Sequence, residues 1–176
     1  MVIVITGPIA SGKSTIARKV AVELGRGRMR AAVIDLDLLE GMLRTDGRAS
    51  DDSTWAIARH AAAMLTNAFL ERGVAVVIAE GSFNTPSDRA GFARSLRNGI
   101  RPRYVTLRVS FEEALRRARA DQSRGLSRDN DFLRSYFAEA DHGLAAAPET
   151  DLVIDTERVT ATAAAEAIAR LVTQAP

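Results

Sequence analysis

Along the chain, short aliphatic runs alternate with longer stretches in which apolar residues recur every three or four positions. Val2–Thr6, Ala31–Asp35, Val74–Ala79, Arg103–Val109 and Leu152–Asp155 read as strands, each rich in β-branched and aliphatic residues. Val74–Ala79 has no polar residue at all, the pattern of a parallel strand covered on both faces. Between the strands, Lys13–Leu24, Leu36–Arg44, Ser87–Arg97, Glu112–Asp121, Phe132–Asp141 and Ala161–Val172 read as helices, as does a long segment from Asp51–Ser53 to Arg72-Gly73. The first helix sets Ile16, Val20 and Leu24 on one face and is ended by Gly25 and Gly27. The long helix is expected to bury Ile57, Ala61, Leu65 and Phe69. This alternation implies a parallel sheet built from right-handed crossovers and covered by helices on both faces. Ligands of such sheets bind at the carboxyl ends of the strands, and the candidate functional residues fall at those ends.

Gly7–Ser14 matches G-x-x-x-x-G-K-[ST] without a mismatch, and it lies between an apolar strand and an amphipathic helix. Glycines there let backbone N–H groups point inward around phosphates, and the helix N-terminus adds positive potential. The expected nucleotide contacts are Gly7, Ala10, Ser11, Gly12, Lys13, Ser14 and Thr15. Lys13 would serve the β- and γ-phosphates of ATP, and the Ser14 hydroxyl would bind Mg²⁺.

Two aspartates, Asp35 and Asp37, follow the second strand. Phosphoryl transfer to an alcohol needs a metal to spread charge and a group to orient or deprotonate the nucleophile. Asp35 is the candidate for the metal and Asp37 for the acceptor hydroxyl, although an aspartate there also suits a helix N-cap. Glu80 ends the third strand, placed either to hold the metal's water shell or to touch the acceptor. Gly81 would admit a ligand close to the backbone. Ser82 and Asn84 read equally as substrate contacts and as loop caps.

Arg116, Arg117, Arg119, Arg124 and Arg128 lie on the fifth long helix and the polar loop Gln122–Asp131. Arginine on a closing lid neutralises charge on a transferring phosphoryl group, and Gly125 and Ser127 give such a lid flexibility. Arg124 and Arg128 are the catalytic candidates, and the rest suit a solvated helix face. Trp55 reads as core or pocket wall. Arg59 reads as a surface residue or as the reader of an anionic acceptor, and His142 as structural or exposed.

Composition narrows the chemistry. The 176 residues fit one domain spanning 1–176. With no cysteine and two histidines, a disulfide framework, a thiolate zinc site and a cysteine nucleophile are excluded, so a metal would be a hard cation on oxygen ligands. Lys13 and Lys19 are the only lysines, and the abundance of Ala and Arg suggests a high-GC genome. The basic residues are not interleaved with stacking aromatics, which argues against a nucleic-acid partner. No apolar run approaches the roughly 18 residues of a membrane span, and Val2–Ile5 has no basic segment before it. A soluble cytoplasmic protein, monomer or homodimer, is expected.

These residues together resemble the small P-loop kinases related to shikimate kinase, gluconate kinase, adenylylsulfate kinase and chloramphenicol phosphotransferase. The likeness is anchored on Gly7–Ser14, Asp35-Leu36-Asp37, the segment Leu115–Arg128 and Val153-Ile154-Asp155-Thr156. It implies a three-layer α/β fold with a five-stranded parallel sheet in the order 2-3-1-4-5 and a mobile lid near residues 121–131. By the same resemblance Asp37 would be the general base, Arg117 would pack on adenine, Arg124 would touch the phosphates, and Asp155-Thr156 would border the base. Arg59 would fall near an acceptor-binding arginine. Glu80-Gly81-Ser82 stands where a shikimate kinase has three glycines, which moves the expectation toward phosphotransferases of antibiotics or other natural products, in a self-resistance role. A metabolic shikimate- or gluconate-like kinase and a nucleoside or nucleotide kinase are the alternatives.

A regulatory nucleotide-binding ATPase is the rival class. A guanine switch would need an N/T-K-x-D motif, which two lysines at positions 13 and 19 cannot supply. A motor ATPase would need a longer chain, and a nucleic-acid end kinase a basic, aromatic-lined channel.

Overall fold

The computed structural model describes residues 1–44, 51–122, 125–146 and 150–173. Five parallel strands, β1 (Val2–Thr6), β2 (Ala31–Asp35), β3 (Val76–Glu80), β4 (Arg103–Arg108) and β5 (Leu152–Asp155), form one sheet in the order β2-β3-β1-β4-β5. The helices are α1 (Lys13–Arg26), α2 (Leu36–Gly41), α3 (Asp52–Glu71), α4 (Pro86–Ser95), α5 (Phe111–Ala120), α6 (Asn130–Ala146) and α7 (Ala161–Thr173). The strand order and the layering are those the resemblance implied.

Alternation along the strands divides the core into two faces. Ile3 and Ile5 of β1 join Ile78, Leu107, Val20 and Ile168 under α1 and α7. Val2 and Val4 point the other way, joining Val77, Ala62, Phe83 and Phe92 under α3 and α4. Each fully buried side chain of this size contributes about 1.5–3 kcal/mol, so the central strand is held from both sides. A third cluster, with Ala10, Ala114, Leu133 and Phe137, seats α5 and α6 against the phosphate loop.

The long helix α3 does not bury the face expected of it. Ile57 is 55% exposed and Leu65 39%, whereas Ala58, Ala62, Ala63 and Thr66 are buried. Small residues one turn apart let the helix axis approach the sheet, and the Thr66 hydroxyl donates to the Ala62 carbonyl within the helix. Close approach of the backbone outweighs the bulk of the larger side chains, and Phe69 and Trp55 pack only at the margin of that core. Boundaries also shift: β3 begins at Val76 and not Val74, α2 ends at Gly41 before Arg44, and α6 starts at Asn130. The segment expected to be loop up to Asp131 holds a 3-10 turn, Leu126–Arg128.

Candidate active site

The carboxyl ends of β1, β2 and β3 converge on the phosphate loop. Gly7 has φ 149°, and a Cβ there would lie 2.6 Å from the Leu107 carbonyl oxygen, so the strand-to-loop turn requires glycine. Lys13 Nζ donates to the carbonyls of Gly7 (3.0 Å) and Pro8 (3.1 Å), so the ammonium lies over the loop it belongs to. Ile9, Ala10, Gly12, Lys13, Ser14, Thr15 and Asp37 surround a recess of about 100 Å³. Asp37 is thereby brought opposite the loop.

Asp35 caps α2: its Oδ1 accepts from the backbone N–H groups of Asp37 (3.0 Å) and Leu38 (3.3 Å). Capping and service to a metal are compatible, since the cap engages Oδ1 alone. Asp35 is paired in register with Glu80. Glu80 is 2% exposed and its Oε1 has no hydrogen-bond partner among the described residues. Burial, then the Asp35 carboxylate, pushes the Glu80 carboxyl up to about 7, while a hydrogen bond from Ser14 and the Lys13 charge pull the other way. An orphaned, buried carboxylate oxygen beside a hydroxyl and a second carboxylate is a donor set suited to Mg²⁺. Among the described residues no three His, Cys, Asp or Glu could hold a metal on their own, so phosphate and water oxygens would have to complete the shell.

Gly81 has φ 147°, and a Cβ on it would collide with the Leu36 side chain. The close approach expected for a ligand is thus taken by Leu36, which seats α2 against the end of β3. Beyond Gly81 the chain is fixed from β1. The Phe83 N–H donates to Thr6 Oγ1 (3.1 Å), Thr6 Oγ1 donates to Asn84 Oδ1 (2.8 Å), and Asn84 Nδ2 reaches the Tyr136 hydroxyl (3.4 Å). Asn84 is therefore a buried bridge to α6. The helix cap falls instead to Thr85, which forms a capping box with Asp88, with Pro86 opening α4.

A second cleft, of about 470 Å³, is lined by Ser82, Asn84, Trp55, Arg59, Tyr136 and Glu139 among others. Arg59 is in its wall: Nη2 lies 2.8 Å from Asp88 Oδ1, and Nη1 donates to the Ser82 carbonyl (3.3 Å). Burial lowers the Arg59 pKa, with Asp88 and Asp52 opposing. Trp55, expected as core or wall, is both.

On the far side of the loop, Ser11, Thr15, Arg117, Thr156 and Val159 line a cavity of about 190 Å³. Arg117 Nη2 donates to the Thr156 carbonyl (2.8 Å), Nη1 to Thr156 Oγ1 (3.0 Å), and Nε to Glu113 Oε1 (2.7 Å). Asp155 is not among the residues lining this cavity. Its Oδ2 pairs with Arg158 (3.0 Å) and its Oδ1 accepts from the Glu157 N–H, so it shapes the turn that presents Thr156. Arg116 is spent on Glu113. Arg128 is exposed at the end of the 3-10 turn. Arg124 lies outside the described residues, as does the side chain of His142.

Sequence reasoning missed Asp52, Asp88, Tyr136 and Glu139, which come to the cleft from three helices; only Tyr136 and Glu139, one turn apart on α6, share a spacing. The capping box Thr85-Pro86-Ser87-Asp88 was the one local signal that could have placed Asp88.

A family model described as an AAA domain matches residues 2–139. The chain belongs to that family. A search of curated proteins finds no match. Among solved structures, this AAA domain is similar to the Mycobacterium tuberculosis APS kinase CysC in complex with AMPPNP and APS, at TM-score 0.72 and 18% identity over 98% of this chain and 97% of the other. It is also similar to a sugar kinase from Janibacter sp., at TM-score 0.70 and 21% identity over 99% and 95%. For shikimate kinase from Acinetobacter baumannii in complex with shikimate the values are 0.64 and 20%, over 98% and 92%. At these identities the likeness is one of fold, and that fold is the small P-loop kinase fold. No helix among the described residues of the AAA domain is long and apolar enough to cross a membrane.

Proposed function

We propose that the protein is an ATP-dependent kinase that transfers the γ-phosphoryl group to a hydroxyl of a small molecule, the specific reading being an antibiotic or other natural product. The observation that carries it is Glu80, a buried carboxylate with one oxygen unpartnered among the described residues, set beside Ser14, Lys13 and Asp35. From it the chain runs directly into Ser82 and Asn84 of the large cleft. A pure switch has no use for an acceptor-sized cleft at that place.

In this reading the nucleotide lies along the loop, with the base near Arg117 and Thr156. Ser14, Asp35 and Glu80 would hold Mg²⁺, which would supply charge neutralisation at the phosphates. Lys13 exchanges its contacts to the Gly7 and Pro8 carbonyls for phosphate oxygens. Asp37 accepts the proton of the acceptor hydroxyl as its oxygen forms the new bond to phosphorus. The bond from phosphorus to the bridging oxygen breaks, and ADP leaves with that electron pair. Arg128 stands on the segment that would close over the transferring group. The test is ADP release with a panel of nucleosides, sugars, polyols, shikimate, chloramphenicol and nucleoside antibiotics. Acceptor-stimulated ADP release supports the reading. Its absence across the panel, with a protein partner bound only in the presence of ATP, replaces it with a nucleotide switch.

A further inference from the structure

The large cleft carries a charge opposite to the one its arginine suggests. Resting on the phosphotransferase reading above, we propose that the acceptor is a hydroxyl compound bearing a protonated amine, whose ammonium group lies against the carboxylates of this cleft.

Arg59 is already committed. Its side chain is 13% exposed, and its guanidinium is held by Asp88 at 2.8 Å and by the Ser82 carbonyl at 3.3 Å. Asp88 is itself immobilised, because its Oδ2 accepts from the Thr85 N–H in the capping box that starts α4. Turning Arg59 toward an anionic ligand would strand Asp88, whose side chain is 17% exposed, as an unpaired carboxylate in the cleft wall. Removing one partner of such a half-buried pair costs far more than losing a solvated one. The arginine is part of the wall, with no net charge left to offer.

The other charged residues lining the cleft among the described residues are Asp52 on α3 and Glu139 on α6. Three carboxylates against one guanidinium leave a net charge of −2. The space of about 470 Å³ is that of a small-molecule site. Trp55 adds an aromatic wall, which attracts a cation through its ring face. A carboxylate-bearing acceptor would meet repulsion there, whereas an amine would be drawn in and its hydroxyl carried toward the phosphate loop.

Trp55 is the sole tryptophan, so its fluorescence reports on this cleft without labelling. Collisional quenching by Cs⁺ and by I⁻ at constant ionic strength, each normalised to N-acetyltryptophanamide, should favour Cs⁺. The double variant Asp52→Asn, Glu139→Gln should lower the Cs⁺-to-I⁻ ratio about twofold, the size expected of two screened charges nearby. With a non-hydrolysable ATP analogue and Mg²⁺ present, the same signal titrated with glucosamine, glucose and glucuronate should show glucosamine binding at least about tenfold more tightly than glucuronate. The double variant should lose that preference. A normalised excess of I⁻ quenching, or failure of glucosamine to bind more tightly than glucuronate, overturns the proposal. ADP release is read separately with the same three compounds and ATP. Amine-preferring binding without ADP release leaves the charge assignment standing and removes the kinase reading. Faster phosphorylation of the sugar acid keeps the kinase reading and overturns the amine assignment.

Discussion

Asp35 and Glu80 are register partners at the carboxyl ends of β2 and β3, and burial beside the Asp35 carboxylate pushes the Glu80 carboxyl up to about 7. A carboxyl taken out of water next to a second carboxylate holds its proton more tightly.

The stability of the nucleotide-free protein should therefore fall as pH rises from 4.5 to about 7. In that window the folded state holds a proton on Glu80 that the unfolded chain releases, so folding is favoured at the acid end. Glu80→Gln should remove the slope and stabilise the protein at pH 8 by about 3 kcal/mol at most. Urea midpoints of both proteins at pH 5 and pH 8 decide it, and parallel pH profiles would rule it out. Asp51 and Glu113, held down to about 2 by hydrogen bonds, titrate below this window.

Gly81→Ala should destabilise the fold by about 1–3 kcal/mol, since the new methyl group overpacks against Leu36 at a strained φ. In a Leu36→Ala background the penalty should shrink, because the colliding side chain is gone. A double-mutant cycle by denaturant unfolding reads the coupling, and additive effects would show that strain at φ 147° is the whole cause.

Lys13→Ala should abolish transfer and weaken nucleotide binding about 10- to 100-fold, the worth of one charge-assisted hydrogen-bonded contact. Asp37→Asn should cut turnover by about 10²- to 10⁴-fold with nucleotide affinity largely kept. Steady-state ADP release beside nucleotide titration separates the two, and unchanged turnover in the Asn variant removes Asp37 as the base.

Arg117→Ala should raise the KM for ATP about tenfold, with little loss of stability. It removes both bonds to Thr156 and one to Glu113, which Arg116 still holds. Arg117→Lys should restore part of the affinity, since lysine keeps the charge without the planar fork. An effect confined to thermal stability would make Arg117 merely a strut between α5 and the turn after β5.

The phosphate loop and the strands were legible because each depends on its own residues: glycine at a turn, or β-branched residues in a run buried on both faces. What escaped depends on partners remote in sequence. Ile57 and Leu65 read as core because they are large, yet Ala58 and Ala62 are buried because the sheet comes close. Gly81 read as room for a ligand because no local pattern points to Leu36. Arg59 read as a surface residue or as the reader of an anionic acceptor because its partner Asp88 lies on another helix, and a charge is neutralised by its neighbours in space. The cleft is assembled from residues before β3, after β3 and on α6, so no spacing encodes it.

The position of β1 also bears on how the molecule is made. The phosphate loop is encoded ahead of the other four strands, but β1 is hydrogen-bonded between β3 and β4, and Gly7 is packed on the carbonyl of Leu107. During vectorial synthesis the loop must wait, unformed, until the fourth strand has left the ribosome. Nucleotide can stabilise only a chain that has reached that length. Truncated nascent chains ending before Leu107 should thus gain nothing from ATP, and a segment translated before its sheet partners becomes functionally complete only after them.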